Sequence, residues 1–152
     1  MSAAEPMEVP AALRTPIKRV GPGWIAAVVI VHIGINVGFF APIQVLLGLH
    51  AEALDASQKN AILSLVTGVG AAVSLVANPL FGALSDRSTS KFGRRIPWVF
   101  FGTICAALAL LLMSTAHTVS TLVIGWALTQ AAGNAALAAI FAAIPDKVPV
   151  EQ

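Results

Sequence analysis

The chain has 152 residues, 57% of them hydrophobic and only 11% charged. A water-soluble domain carries about 25% charged residues, so this shortfall excludes a surface that faces water on all sides. Every Asp, Glu, Lys and Arg lies in the N-terminal tail, in Glu52 to Lys59, in Asp86 to Arg95 or in the C-terminal tail, and the long uncharged stretches between them suit a bilayer interior.

Residues 1–23 are polar and rich in proline (Pro6, Pro10, Pro16, Pro22) and read as a cytoplasmic tail ending in the basic cluster Arg14, Lys18 and Arg19. The first apolar run, Trp24 to Leu49, makes a helix of about 39 Å, longer than the hydrocarbon core of about 30 Å. It must therefore tilt or kink, and Pro42 is the expected kink site. The run is too long for the apolar part of a signal peptide, about 7–15 residues. His50 to Asn60, carrying Glu52, Asp55 and Lys59, reads as a link. A second span covers residues 61–84, a hydrophilic segment runs from Ser85 to Arg95, and a third span covers 96–115. After a short turn, a fourth span occupies 119–144 and is expected to stop at Pro145, leaving 145–152 as a polar tail. The fold expected is all-α, a polytopic membrane protein with four transmembrane helices in region 24–144.

The loops set an orientation. Arg14, Lys18, Arg19, Arg87, Lys91, Arg94, Arg95 and Lys147 fall on one side and Lys59 alone on the other, so the positive-inside rule places both termini in the cytoplasm of a cell (plasma) membrane protein. The same rule accounts for the net charge of +2 without nucleic acid as a partner. Three sets of residues carry small-residue packing signals: Gly34 and Gly38; Gly70, Ser74, Asn78 and Gly82; and Ala127, Ala131, Ala135, Ala139 and Ala143. Small side chains at this spacing let helix backbones approach closely in lipid.

Between the second and third spans stands Asn78-Pro-Leu-Phe-Gly82-Ala-Leu-Ser-Asp86-Arg87, followed after Ser-Thr-Ser-Lys-Phe by Gly93-Arg94-Arg95-Ile-Pro97-Trp98. Asp86 ends a helix at its negative dipole end, so it needs a cationic partner, with Arg87, Arg94 and Arg95 as candidates. The segment resembles the signature loop of the major facilitator superfamily. Its lengthened form is similar to that of the glycoside–pentoside–hexuronide:cation symporters and sucrose carriers, and Ile144-Pro-Asp-Lys-Val-Pro149 is similar to the segment after their fourth helix. The resemblance implies that Gly82, Asp86, Arg87, Gly93, Arg94 and Arg95 form a cytoplasmic latch between two halves of a transporter. The alternative is a charged turn that only fixes topology.

Polar groups within spans point to function by default, because lipid leaves them costly. His32 and Asn36, then Gln130 and Asn134, are pairs four apart on one helix face each. In the resembled fold the first and fourth helices line the central cavity, which makes these four the candidates for contacting a sugar-like solute. Interhelical hydrogen bonding is the other reading, and it is the one expected for Asn78. The symporters resembled here hold their cation with acids in the second helix, and 61–84 contains no Asp or Glu. Uniport or proton coupling through His32 therefore stays open beside symport.

No catalytic triad, metal-ligand spacing or phosphate-binding loop is seen: His32, His50 and His117 are scattered and Cys105 is alone. The sequence gives no reason to expect an enzyme, a cofactor or a metal. A full transporter of the resembled kind has twelve helices in two halves. Four helices thus read as an N-terminal part, with the missing remainder, or a second copy, as a partner alongside the lipid bilayer. The alternatives are a complete four-helix transporter acting as an oligomer and a non-transporting membrane subunit.

Overall fold

The computed structural model describes residues 16–149 and 151, so Arg14 and the ends of both expected tails lie outside the described residues. Within them the chain is all-helical, with four helices long and apolar enough to cross a membrane: α1 (Pro22–Leu54), α2 (Lys59–Arg87), α3 (Ile96–Ser114) and α4 (Val119–Lys147). The connections are short, so successive helices run antiparallel. Lys18, Arg19, Arg87, Lys91, Arg94, Arg95 and Lys147 gather at one end, called here the basic end.

Helix boundaries depart from the sequence expectation where proline and the polar links were read as breaks. α1 continues through His50 to Leu54 because Leu47 and Ala51 are fully buried on its inner face. It stops at Asp55, whose Oδ1 accepts hydrogen bonds from the Ser57 N–H (2.9 Å), the Ser57 hydroxyl (2.6 Å) and the Gln58 N–H (3.2 Å). The Ser57 hydroxyl first, and second the Gln58 side-chain amide, which donates to Oδ2 at 2.9 Å, hold the Asp55 carboxyl below its usual value. An ion pair between Lys59 and Glu52 (2.9 Å) closes the same corner.

Pro42 opens a five-residue π-helical stretch, Pro42–Leu46, in which the Leu47 N–H reaches back to the Pro42 carbonyl. Proline has no N–H for the preceding turn, and a local π turn is a recognised way to rearrange the freed groups in lipid. Pro145 does not stop α4. The helix passes through it to Lys147, and the Val148 N–H donates to the Ile144 carbonyl at 2.8 Å. The physical reason is that proline's fixed φ is itself helical. What it removes is one hydrogen bond, here near the polar end of the helix.

α4 is the hub, packing most extensively on α3 and α2 and also on α1. Its buried residues cover more than one face, from Leu122 and Trp126 to Ala139 and Ile140. A Cβ on Gly102 of α3 would lie 2.9 Å from the Ala132 carbonyl and from the Ala136 nitrogen of α4. A Cβ on Gly125 would lie 2.9 Å from Met113. Gly70 of α2 lies against the Trp126 indole, and Gly133 lies against the Phe39 ring of α1. Gly34 and Gly38, the pair that reads as a packing motif, have open space where a Cβ would stand. One core cluster (Leu47, Val66, Met113, Leu122, Trp126) lies toward the end opposite the basic one, and a smaller cluster joins Ile35 to Ala136 and Ile140.

Candidate functional site

The loop between α2 and α3 is tied down by a charge cluster. Arg95, whose side chain is 10% exposed, pairs with Asp86 at 2.5 Å and with Asp146 at 3.0 Å. Its Nη1 also donates to the fully buried Ser85 hydroxyl at 2.6 Å. Arg94 donates to the same Asp146 oxygen at 2.8 Å. The Asp146 hydrogen bond raises the pKa of Arg94 still further, so it remains cationic. The cluster gathers the end of α2, the start of α3 and the end of α4, which satisfies the acid left at the α2 C-terminus. Asp86 thus has a cationic partner, and it is Arg95. Sequence reasoning missed Asp146 and Ser85. The signal for Asp146 was its place beside Pro145, within a segment read as a tail beyond the helix.

Gly93 is the one described residue with a clearly positive φ, 98°, a conformation that favours glycine. There its N–H donates to the Ser90 carbonyl (3.0 Å), turning the chain so that Arg94 and Arg95 enter α3. Trp98 bridges back to α2, donating to the Ser88 hydroxyl at 2.7 Å and packing on Phe81. Gly82, expected to admit a neighbouring helix, faces open space, and Asp86 is 58% exposed. Asn78 shares that α2 face, four residues before Gly82. It is exposed and has no hydrogen-bond partner among the described residues, which corrects its reading as an interhelical bond within this bundle. The small-residue stripe of α2 divides: Gly70 and Ser74 meet α4, whereas Asn78 and Gly82 face outward.

The polar residues of α4 sit at its seam with α2. The Ser74 hydroxyl lies 3.0 Å from the Gln130 Oε1, and Asn134 Nδ2 donates to Ser74 (3.1 Å) and to the Gln130 carbonyl (2.8 Å). Asn36 donates to the His32 carbonyl at 2.8 Å, and the His32 ring meets Phe141 of α4 edge-on at 5.4 Å. Gln130, Asn134 and Phe141 fall at i, i+4 and i+11, one face of α4. Ser74 of α2 thus abuts one part of that face and His32 of α1 another. The structure brings Gln130 and Asn134 together. His32 lies at another level of the same face and does not join their network. Ser74 was legible only as a small residue, because its partner is fifty-six positions away in sequence.

The family described as MFS/sugar transport protein matches residues 56–146. No curated protein and no solved structure matches the chain.

Proposed function

The chain belongs to the MFS/sugar transport protein family of the major facilitator superfamily, and from that premise we propose that its helices form one wall of an alternating-access path for a sugar or related small solute. The observation that carries this reading is the Arg95 cluster within the matched segment. It fixes the loop rigidly through Asp146 and Ser85 while Asp86 keeps more than half its surface free. Water already screens the Asp86 carboxylate, and Asp146 stays on Arg95 if Asp86 leaves, so Asp86 exchanges partners at modest cost. Gly82, Asp86, Arg87, Gly93, Arg94 and Arg95 then serve as the latch. Asn78, Gly82 and Asp86 present the α2 face on which a second set of helices, continuous with this chain or supplied by another copy, closes. An uncovered intramembrane Asn favours such a cover.

The solute wall is the α4 face of Gln130 and Asn134 together with His32 and Asn36 on α1. Their amide and imidazole groups offer the donors and acceptors that a polyhydroxylated solute needs. Both termini and the 88–95 loop face the cytoplasm, and the membrane is the cell membrane, as the Lys and Arg distribution supports.

The test is reconstitution into liposomes and uptake of labelled mono- and disaccharides with and without a pH gradient. No saturable uptake by this single wall is expected until a second set of helices completes the path. Saturable uptake by the chain itself, lost in His32→Ala or Asn134→Ala, would show that a second copy supplies the other wall, and uptake indifferent to those variants and to Asp86→Asn would refute the assignment. Cysteines at Ser90 and Ser57 in a Cys105→Ala background test topology. Labelling of intact cells by an impermeant thiol reagent at Ser90 but not Ser57 would reverse it.

A further inference from the structure

Trp126 stands within α4 with only 1% of its surface exposed. Among the described residues its indole Nε1 is the one buried side-chain nitrogen or oxygen with no hydrogen-bond partner. A buried donor left so is costly and calls for an explanation. Its buried neighbours in the core cluster are aliphatic, apart from the Met113 thioether, a weak acceptor. A buried water needs several polar partners, which that side of the indole does not supply.

The acceptor within reach is Gln130, one turn further along α4. The spot that a Gly70 Cβ would take lies 2.6 Å from Trp126 Cδ1 and 3.3 Å from Gln130 Cγ, with the indole nitrogen nearer still. The nitrogen and that Cγ are therefore less than about 6 Å apart, and the carboxamide oxygen reaches about 2.4 Å beyond Cγ. A change of side-chain torsion brings Oε1 within hydrogen-bond range of the indole N–H. Hydrogen-bond accounting favours that move. Ser74 has a single hydroxyl proton and two acceptors for it, the Gly70 carbonyl and Gln130 Oε1, each at 3.0 Å. One acceptor is surplus at Ser74 while Trp126 has none. With Oε1 turned to Trp126, the hydroxyl donates to Gly70. Asn134 Nδ2 keeps the Ser74 oxygen (3.1 Å) and the Gln130 backbone carbonyl (2.8 Å). Every one of these donors then has an acceptor.

We propose that Trp126 is a positioning residue for Gln130: its indole N–H competes with the Ser74 hydroxyl for the one carboxamide oxygen, and the α2–α4 seam exchanges between a Ser74-linked and a Trp126-linked state. In the Ser74-linked state, side-chain bonds from both Gln130 and Asn134 cross the seam to Ser74. In the Trp126-linked state only the Asn134 bond crosses, and the Gln130 amide is held against its own helix. Trp126 thereby sets the orientation in which Gln130 meets a solute. That consequence rests on reading Gln130 as part of the solute wall, whereas the exchange is a property of the seam and is measured with no solute present.

The experiment is nuclear magnetic resonance of the full chain in detergent micelles, isotope-labelled at the tryptophan nitrogens. The three indole N–H signals are assigned with Trp24→Phe, Trp98→Phe and Trp126→Phe. Ser74→Ala removes the competing donor, so the Trp126 indole proton should move downfield, toward the hydrogen-bonded range. Gln130→Leu should move it upfield and abolish the response to Ser74→Ala. The Trp24 and Trp98 signals and the helicity should stay unchanged throughout. Should Gln130→Leu lose helicity, Gln130→Met, similar in shape and without the amide, takes its place. A folded Ser74→Ala or Gln130 variant whose Trp126 signal does not move would overturn the proposal. So would a water cross-peak on the Trp126 indole that persists in the Gln130 variant.

Discussion

Replacing Gly102 by alanine isolates the close approach of α3 to α4. The added Cβ would stand 2.9 Å from both the Ala132 carbonyl oxygen and the Ala136 nitrogen, and 3.0 Å from the Ala136 Cβ. Two of those atoms are backbone in the middle of a helix and cannot rotate away, so the helices must part by about half an ångström. Overpacking of this kind costs about 1–3 kcal/mol, offset by the gain of about 0.5–1 kcal/mol when alanine replaces a mid-helix glycine. The net expectation is a loss centred near 1 kcal/mol, within about 0–2.5 kcal/mol. Gly34→Ala is the internal control: nothing stands within 4 Å of its Cβ, so only the backbone gain of up to about 1 kcal/mol remains. Reversible unfolding in mixed detergent micelles, followed by circular dichroism, measures both. Equal shifts for the two variants, or a Gly102→Ala protein more stable than the Gly34→Ala one, would refute the packing argument.

Arg95→Met leaves Asp146 and the buried Ser85 hydroxyl short of a partner. Because Asp86 and Asp146 are 58% and 31% exposed, the discounted loss is about 1–3 kcal/mol, read in the same unfolding titration and reduced when Asp146→Asn is already present. Ser74→Ala removes the hydroxyl shared by Gln130 and Asn134, and should cost about 0.6 kcal/mol, up to about 1.7. A double cycle with Asn134→Ala should show coupling between the two sites. Asp55 has a depressed pKa, so its contribution is present above the ordinary carboxyl value and is lost as pH falls through the lower folded value. Protection of the Ser57 and Gln58 amides, taken relative to the intrinsic exchange rate at each pH, should fall there, and Asp55→Ala should show that lower protection already at neutral pH.

Hydropathy and charge spacing alone determined that this chain crosses a membrane, how many times, and which end gathers its cations. Those properties follow from transfer free energies summed along the chain, and each helix satisfies its own backbone within the segment. The loop from Gly82 to Arg95 was legible for a similar reason: Gly93 declares a turn, and an acid ending a helix requires a cation nearby. Which cation it would be was decided in three dimensions, because Asp146 comes to Arg95 from the far end of α4. The glycines show the division most clearly. Gly34 and Gly38 carry the sequence pattern of a packing motif and face open space, whereas Gly102 and Gly133 sit in no such pair and touch neighbouring helices. Spacing places residues on a common face, but in lipid every face of a helix is apolar enough to be either interior or exterior. Only the packing of α1, α2 and α3 around α4 decides which faces are buried and which polar residues meet at the α2–α4 seam.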